Sequence, residues 1–152
     1  MGTIAAAIAA LVAGIAVASD DDAPIRYHRH GMTVIMRSSM TPINVVLGDN
    51  PLDKPHTFTC KSASGCVVLI SSSNVQMGTD GTETCSFVDG TPAAPGCVGD
   101  FVAPPVVRQQ QTKVSQGQHT LQTIVHSLNA GGQITGWQVA YTIYERKVHG
   151  TN

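Results

Sequence analysis

The chain of 152 residues carries a formal net charge of −1, and only 12% of its residues are charged. This balance gives no electrostatic case for binding to nucleic acid or to an anionic membrane. The length suits one domain rather than two, and the predominance of uncharged polar residues is typical of secreted β-proteins.

The N-terminal segment 1–18 is predicted to be a signal peptide that is cleaved. Residues 4–18 are apolar and end in Ala16-Val17-Ala18, which has the A-x-A pattern of a cleavage site. Because no Lys or Arg precedes this run, an Ala-rich helix retained in the mature protein is the alternative. A run of about 15 residues is shorter than the roughly 20 that cross a bilayer, so we expect no membrane contact after cleavage. The predicted location is secreted, periplasmic or cell-surface.

After the signal, residues 19–31 are predicted to be a polar entry segment, residues 32–146 a β-sandwich domain and residues 147–152 a tail. Within the domain, runs that alternate apolar and polar residues are separated by turns rich in Gly, Pro, Asn and Ser. The predicted strands are 32–37, 43–47, 56–60, 66–71, 82–88, 106–114, 119–128 and 137–144. About seven to eight antiparallel strands without a helical period predict an all-β sandwich of Ig-like or jelly-roll type. Segment 106–114 is polar on both faces, which favours an edge strand.

Four cysteines lie in the middle of the chain, at Cys60, Cys66, Cys85 and Cys97. An even count behind a signal-like segment predicts two disulfides, and the spacing lacks the close pairs that are typical of zinc sites. We favour the sequential pairing, in which Cys60–Cys66 pins a hairpin and Cys85–Cys97 closes a loop rich in Pro and Gly. The crossed pairing, Cys60–Cys85 with Cys66–Cys97, stays open.

Residues 117–144 are predicted to form a β-hairpin. Trp137 and Tyr141 fall on the apolar face of its second arm and are expected in the core, while Tyr144 falls on the other face. The connecting sequence Asn129-Ala130-Gly131-Gly132 supplies turn residues that accept a positive φ.

The sequence Gly117-Gln118-His119-Thr120-Leu121, followed by this hairpin, resembles the last two strands of Ig-like domains in bacterial surface and secreted proteins. The resemblance is confined to this part of the chain. It implies a β-sandwich whose last two strands pair with each other, and it implies no single activity.

Two histidines are the candidate metal ligands. In an H-x-H pair on an extended segment both imidazoles point to one side, so His28 and His30 could bind copper or zinc. Two exposed polar histidines are the alternative interpretation. No G-x-S-x-G motif appears, and paired carboxylates would have to come from ten acidic residues, so we expect no enzymatic activity.

Tyr27 and Tyr144 are the candidate ligand-contact residues, because an exposed tyrosine ring can stack on a sugar or pack against a partner. We therefore expect a secreted, disulfide-stabilised β-sandwich with a binding or structural role. Its partner would be an extracellular ligand or protein, and no cofactor is expected. The alternative is a secreted metal-binding or enzymatic protein that uses histidines such as His28 and His30.

Overall fold

The computed structural model describes residues 24–79, 81–100 and 107–146, so the predicted signal peptide and tail lie outside the described residues. The described residues form twelve strands: β1 Ile25–Arg29, β2 Met32–Ser39, β3 Ile43–Asn44, β4 Gly48–Pro51, β5 His56–Cys60, β6 Cys66–Met77, β7 Thr82–Val88, β8 Thr91–Pro92, β9 Val98–Asp100, β10 Arg108–Val114, β11 Gly117–Ser127 and β12 Gln133–Glu145. Seven of the eight predicted strands correspond to strands of five residues or more, the predicted strand 43–47 is reduced to β3, and the five-residue β1 is an additional strand. Among these residues, no helix is long and apolar enough to cross a membrane.

The strands form two antiparallel sheets that pack face to face. Sheet A has the order β1-β2-β12-β6-β10, and β3 also pairs with β12. In sheet B, β4 and β5 pair with one edge of β11, and β7 pairs with its other edge. The short strands β8 and β9 complete sheet B by pairing with β7. The predicted all-β antiparallel sandwich is thus confirmed.

Period-two alternation places one face of each sheet in the core. Tyr141 is 0% exposed and Trp137 is buried beside it on β12, as the sequence predicts. A β-bulge between Ile134 and Gly136 shifts the register of β12, so that Ile134 and Trp137 both point inward although they are three residues apart. Aliphatic side chains from both sheets fill most of the remaining core, including Ile35, Val68, Ile70, Leu121, Val125 and Val139.

The predicted hairpin at residues 117–144 is wrong. β11 pairs with strands of sheet B and β12 with strands of sheet A, so residues 128–132 cross from one sheet to the other. Two hydrogen bonds hold this crossing: Val45 N donates to Gly132 O at 3.1 Å, and Gly131 N donates to Val45 O at 3.0 Å. Both strands lie wholly within the described residues, and they do not pair as the Ig-like resemblance implies.

One edge strand of sheet A was not predicted from the sequence, and the other was. Within the predicted polar entry segment, Ile25–Arg29 forms β1 and pairs with β2, although all five of its side chains are exposed. At the other edge, the predicted edge strand is confirmed as β10, which pairs with β6. Its polar residues are not all on the surface, since Arg108 and Gln110 are buried.

The favoured disulfide pairing is confirmed, with bonds Cys60–Cys66 and Cys85–Cys97. The expected hairpin between the first pair is wrong, because Cys60 ends β5 in sheet B and Cys66 begins β6 in sheet A. This bond therefore ties the two sheets together at one end of the sandwich. The second bond joins β7 to the segment that enters β9. In the chain-entropy model the two bonds contribute about 2 and about 3 kcal/mol to stability.

Candidate functional site

The outer face of sheet A, which is the face turned away from sheet B, carries a band of exposed apolar side chains. The pairing register places one row across five strands: Tyr27, Val34, Thr142, Leu69 and Gln111. The next row, nearer the end of the sheet, is Arg29, Met32, Tyr144, Val67 and Lys113. Every side chain in both rows is exposed or partly exposed. Large apolar surfaces are typical of interaction sites, so this face is a candidate binding surface.

The two predicted ligand-contact residues lie in these neighbouring rows. Tyr27 is 48% exposed, and Tyr144 is partly exposed two strands away. Two strand spacings across the sheet and two residues along it separate their Cα atoms by roughly 12 Å. The alternation of β12 predicts that Tyr144 points outward, but only the pairing of β1 with β2 brings Tyr27 onto the same face.

A cleft of about 540 Å³ adjoins the Tyr144 end of this band. Its lining includes His30, Lys61, Ser62, Glu145 and Arg146. Arg29 Nε donates to His30 Nδ1 at 3.3 Å, so Nε2 is the ring nitrogen of His30 that can donate to a ligand. The cleft therefore places two basic side chains, a ring N–H donor and one carboxylate beside the partly exposed Tyr144. Sequence reasoning missed it, because its residues come from three separate segments of the chain.

The charged residues of the strands are divided between the two sheets. The strands of sheet A contain five basic residues and one acidic residue, namely Arg26, Arg29, Arg37, Arg108, Lys113 and Glu145. In sheet B, Asp49 and Glu83 are acidic, and no residue of its strands is basic. Of the basic residues of sheet A, only Arg29 and Lys113 occupy outward-pointing positions, because Arg26 shares the inward face of Ile35, Arg37 bonds to His56 and Arg108 is buried.

The predicted metal ligands His28 and His30 lie on either side of the end of β1. His28 Nδ1 is 2.7 Å from Thr33 Oγ1, whereas His30 lies in the turn with a φ of 45°. The extended geometry that would point both rings to one side therefore ends at Arg29. Metal binding by His28 and His30 stays a prediction.

Within residues 24–79, 81–100 and 107–146, one group of three ligand-type side chains comes close enough to hold a metal ion. It consists of Glu83, Cys85 and Cys97. The two cysteine sulfurs of this group are joined in a disulfide and so cannot act as thiolate ligands.

A chain of hydroxyl groups crosses the core between the two sheets. Ser86 Oγ and Thr123 Oγ1 are 3.0 Å apart, Thr123 Oγ1 and the Tyr141 hydroxyl are 2.9 Å apart, and the Tyr141 hydroxyl donates to Asp53 Oδ2 at 2.9 Å. Thr123 N also donates to Asp53 Oδ1 at 3.0 Å. Each hydroxyl can donate to the next, so the chain ends on the carboxylate. Because these groups are buried, the chain positions strands and does not present a nucleophile to solvent.

Two further polar residues cover the outer side of Asp53. Arg37 Nη1 donates to His56 Nε2 at 3.2 Å, and this nitrogen is 3.5 Å from Asp53 Oδ2. Burial lowers the pKa of His56, and the charges of Arg37 and Arg26 lower it further, so the ring is neutral and accepts the arginine N–H. Burial raises the pKa of Asp53, and its hydrogen bonds and Arg37 offset this only in part.

A second histidine fastens the turn before β11 to the turn between β7 and β8. His119 Nδ1 is 2.6 Å from Asp89 Oδ2, and His119 Nε2 is 2.9 Å from Ser115 O. Both ring nitrogens thus face acceptors, which only an imidazolium satisfies. Burial lowers the pKa of His119, but the Asp89 carboxylate and the Ser115 carbonyl outweigh it, and the pKa lies above its ordinary value. Partial burial raises the pKa of Asp89, but the bonds from His119 and Thr120 N hold it below its usual range.

This pair is expected to make stability depend on pH. The raised pKa of His119 adds stability that is complete below about pH 6.5 and is lost as the pH rises through the folded-state pKa. We expect a loss of about 1 kcal/mol, since Asp89 is half exposed and solvent weakens the pair. Urea unfolding between pH 5 and 9 measures it. His119→Gln and Asp89→Asn should each remove this component, and the double variant should remove no more. A slope that survives in both variants would show that the pair is not its source.

The opposite end of the sandwich forms a second exposed apolar surface, which we call the loop end. Its large exposed side chains are Met40, Val46, Leu47, Val75, Met77 and Leu128. Contacts between the loops hold this end together: Leu128 N donates to Gly81 O at 3.0 Å, and Gly78 lies against Gly132. The loop end therefore offers exposed apolar residues that are remote from the cleft and from Tyr144.

No protein-family model matches the chain, and no curated protein matches it. One similar solved structure is the EclA C-terminal domain, described as a sugar-binding protein, with 14% identity over 86% of this chain and 85% of that chain and a TM-score of 0.45. Dimeric latent PorU from Porphyromonas gingivalis has 8% identity over 84% of this chain, 14% of the PorU chain and a TM-score of 0.43. A family 35 carbohydrate binding module from Clostridium thermocellum has 13% identity over 77% and 97% of the two chains and a TM-score of 0.36. All three TM-scores lie below 0.5.

Proposed function

We propose that this protein is an extracellular binding module that binds a polysaccharide on the outer face of sheet A. The observation that carries the proposal is the pair of tyrosines, Tyr27 and Tyr144, on one exposed sheet face. The two disulfides support an oxidising, extracellular setting, in which such bonds persist.

The chemistry of the band suits sugar rings. A pyranose presents a face of C–H groups and a rim of hydroxyls, and a tyrosine matches it with an apolar ring face and a polar edge. Met32 and Val34 lie between the tyrosines and provide an apolar floor. Thr142, Gln109 and Gln111 occupy outer-face positions, where their polar groups can bond to sugar hydroxyls.

The shape of the surface favours a polymer over a single sugar. Sites for small molecules are usually concave and enclose most of the ligand. Here the tyrosines lie on an open strand surface, so one sugar ring would cover one tyrosine and leave the other exposed. A chain of several sugar units can contact both residues at once, and the two contacts then reinforce each other.

Replacing the tyrosines tests this function. Tyr27→Ala and Tyr144→Ala are each expected to weaken binding to a soluble polysaccharide by about tenfold, because each removes a rigid aromatic contact. Affinity gel electrophoresis against a panel of neutral and acidic polysaccharides would find a ligand, and titration calorimetry would measure its affinity.

Leu128→Ala is the matched control, since it also removes an exposed apolar side chain but lies at the loop end. It is expected to bind as the unmodified protein does. The proposal is overturned if the tyrosine variants retain full affinity, or if Leu128→Ala weakens binding as much as they do.

A further inference from the structure

We propose that the polysaccharide bound by the outer face is acidic, and that the cleft beside Tyr144 binds a carboxylate of its sugar units. This inference rests on the proposed function and names the class of ligand for the same surface.

The charged side chains that flank the band are positive. In the pairing register, Arg29 and Lys113 occupy the two ends of the row that contains Tyr144. The outward-pointing positions of the six strands of sheet A contain these two basic residues and no acidic residue. A ligand that lies across this row therefore meets positive charge on both sides, and an anionic polymer is favoured over a neutral one.

The cleft continues from this row, and its hydrogen-bond donors suit a carboxylate. Lys61 and Arg146 bring two positive charges, and His30, whose Nδ1 accepts from Arg29, brings an Nε2–H donor. The guanidinium of Arg146 donates from Nη1 to Ser64 O at 3.3 Å and has further N–H groups for a ligand. A planar fork of N–H donors matches the geometry of a carboxylate.

The walls of the cleft are held in place in the free protein. The loop that carries Lys61 is closed by the Cys60–Cys66 disulfide, and Lys61 O accepts a hydrogen bond from Gln116 Nε2 at 3.0 Å. Backbone bonds from Glu145 N to Gly31 O at 2.8 Å and from Arg146 N to Gly65 O at 3.0 Å join the cleft walls. A site that is ordered in the free protein loses less entropy on binding.

Glu145 provides a test in which the direction of the change in affinity is predicted. It contributes the one carboxylate among the described residues that line the cleft, and it repels an anionic group placed there. Its removal should therefore strengthen binding to an acidic polymer, whereas removal of Lys61 or Arg146 should weaken it. A role of these residues in folding alone would not produce opposite effects on affinity.

Polygalacturonate and its fully methyl-esterified form are suitable probes, because they share one backbone and differ in charge. Titration calorimetry at low and moderate salt is expected to show tighter binding of polygalacturonate, with the difference shrinking as salt is added. Lys61→Gln and Arg146→Gln should each weaken its binding by about fivefold, and Glu145→Gln should strengthen it by about twofold. None of the three should change binding of the ester. Lys54→Gln, at the far end of β5 from Lys61, controls for the loss of one positive charge.

The outcomes separate this inference from the proposed function. Equal binding of acid and ester, with the tyrosine variants weakening both, would overturn the acidic ligand and leave the polysaccharide site standing. Binding of the acid that depends on Lys61 but not on the tyrosines would overturn the polysaccharide face and retain the anion cleft. Failure of both polymers, with binding to vesicles that contain phosphatidylglycerol instead, would overturn both. Thermal unfolding of each variant shows whether a lost affinity reflects a lost fold.

Discussion

The substitution Gly132→Ala is expected to lower the free energy of unfolding by about 4 kcal/mol. Gly132 lies where the chain crosses from sheet B to sheet A. Its φ of 77° is a backbone conformation that residues with a side chain rarely adopt. A Cβ atom built there would lie 2.5 Å from the backbone atoms of Gly78 and 2.5 Å from Met77 O. These are backbone atoms of a neighbouring loop, so relief requires that one of the loops move.

Gly90→Ala is the matched control for this prediction. Gly90 has nearly the same φ, 75°, but nothing lies within 4 Å of a Cβ atom built on it. It should cost only the backbone strain of a left-handed residue, about 1–2 kcal/mol. Urea unfolding of both variants therefore isolates the contribution of the close approach between Gly132 and Gly78. Equal losses in the two variants would show that the loops move apart at little cost.

The substitution Tyr141→Phe is expected to lower the free energy of unfolding by about 2–4 kcal/mol, although it removes a single oxygen atom. The hydroxyl donates to Asp53 and is bonded to Thr123, and all three residues are buried. Its loss leaves a buried carboxylate with one donor fewer and a buried hydroxyl with one partner fewer. Such groups cost much more than an absent hydrogen bond on the surface.

The pH dependence of this loss identifies its source. The Tyr141 hydroxyl stabilises the ionised form of Asp53, so its removal raises the pKa of Asp53 further. The loss should be largest above that pKa and should shrink as the pH falls through it, because a protonated Asp53 needs fewer donors. Tyr144→Phe, the same deletion on the outer face of the same strand, should change stability by less than about 0.5 kcal/mol. A loss of equal size in both variants would mean that the buried hydroxyl chain contributes nothing.

The sequence predicts the faces of the strands better than it predicts their partners. Alternation along β12 correctly assigns Tyr141 to the core and Tyr144 to the outside, because period-two burial depends only on local geometry. It does not reveal that β11 and β12 belong to different sheets, since a strand buries one face whether its neighbour in sequence lies beside it or across the core. Strand β1 is not predicted, because all of its side chains are exposed and it has no buried face that would mark it as a strand.

The buried hydroxyl chain and the cleft could not be predicted from the sequence, because their contacts join residues that are far apart in the chain. Asp53 bonds to Tyr141, which is 88 residues away, and to the backbone of Thr123, 70 residues away. No spacing rule connects such positions. The disulfides are the exception, because their cysteines are close in the sequence and few pairings exist.

The nearness of the paired cysteines also favours the native pairing during oxidative folding. The bonds join residues separated by 6 and 12 positions, and the first loop ends before the second begins. In a chain that emerges N-terminus first into an oxidising compartment, Cys60 meets Cys66 before Cys85 has emerged. Cys85 then has only Cys97 left as a partner. Where the first bond forms before Cys85 emerges, the direction of emergence selects the native pairing, and the thiols need an oxidant but no rearrangement.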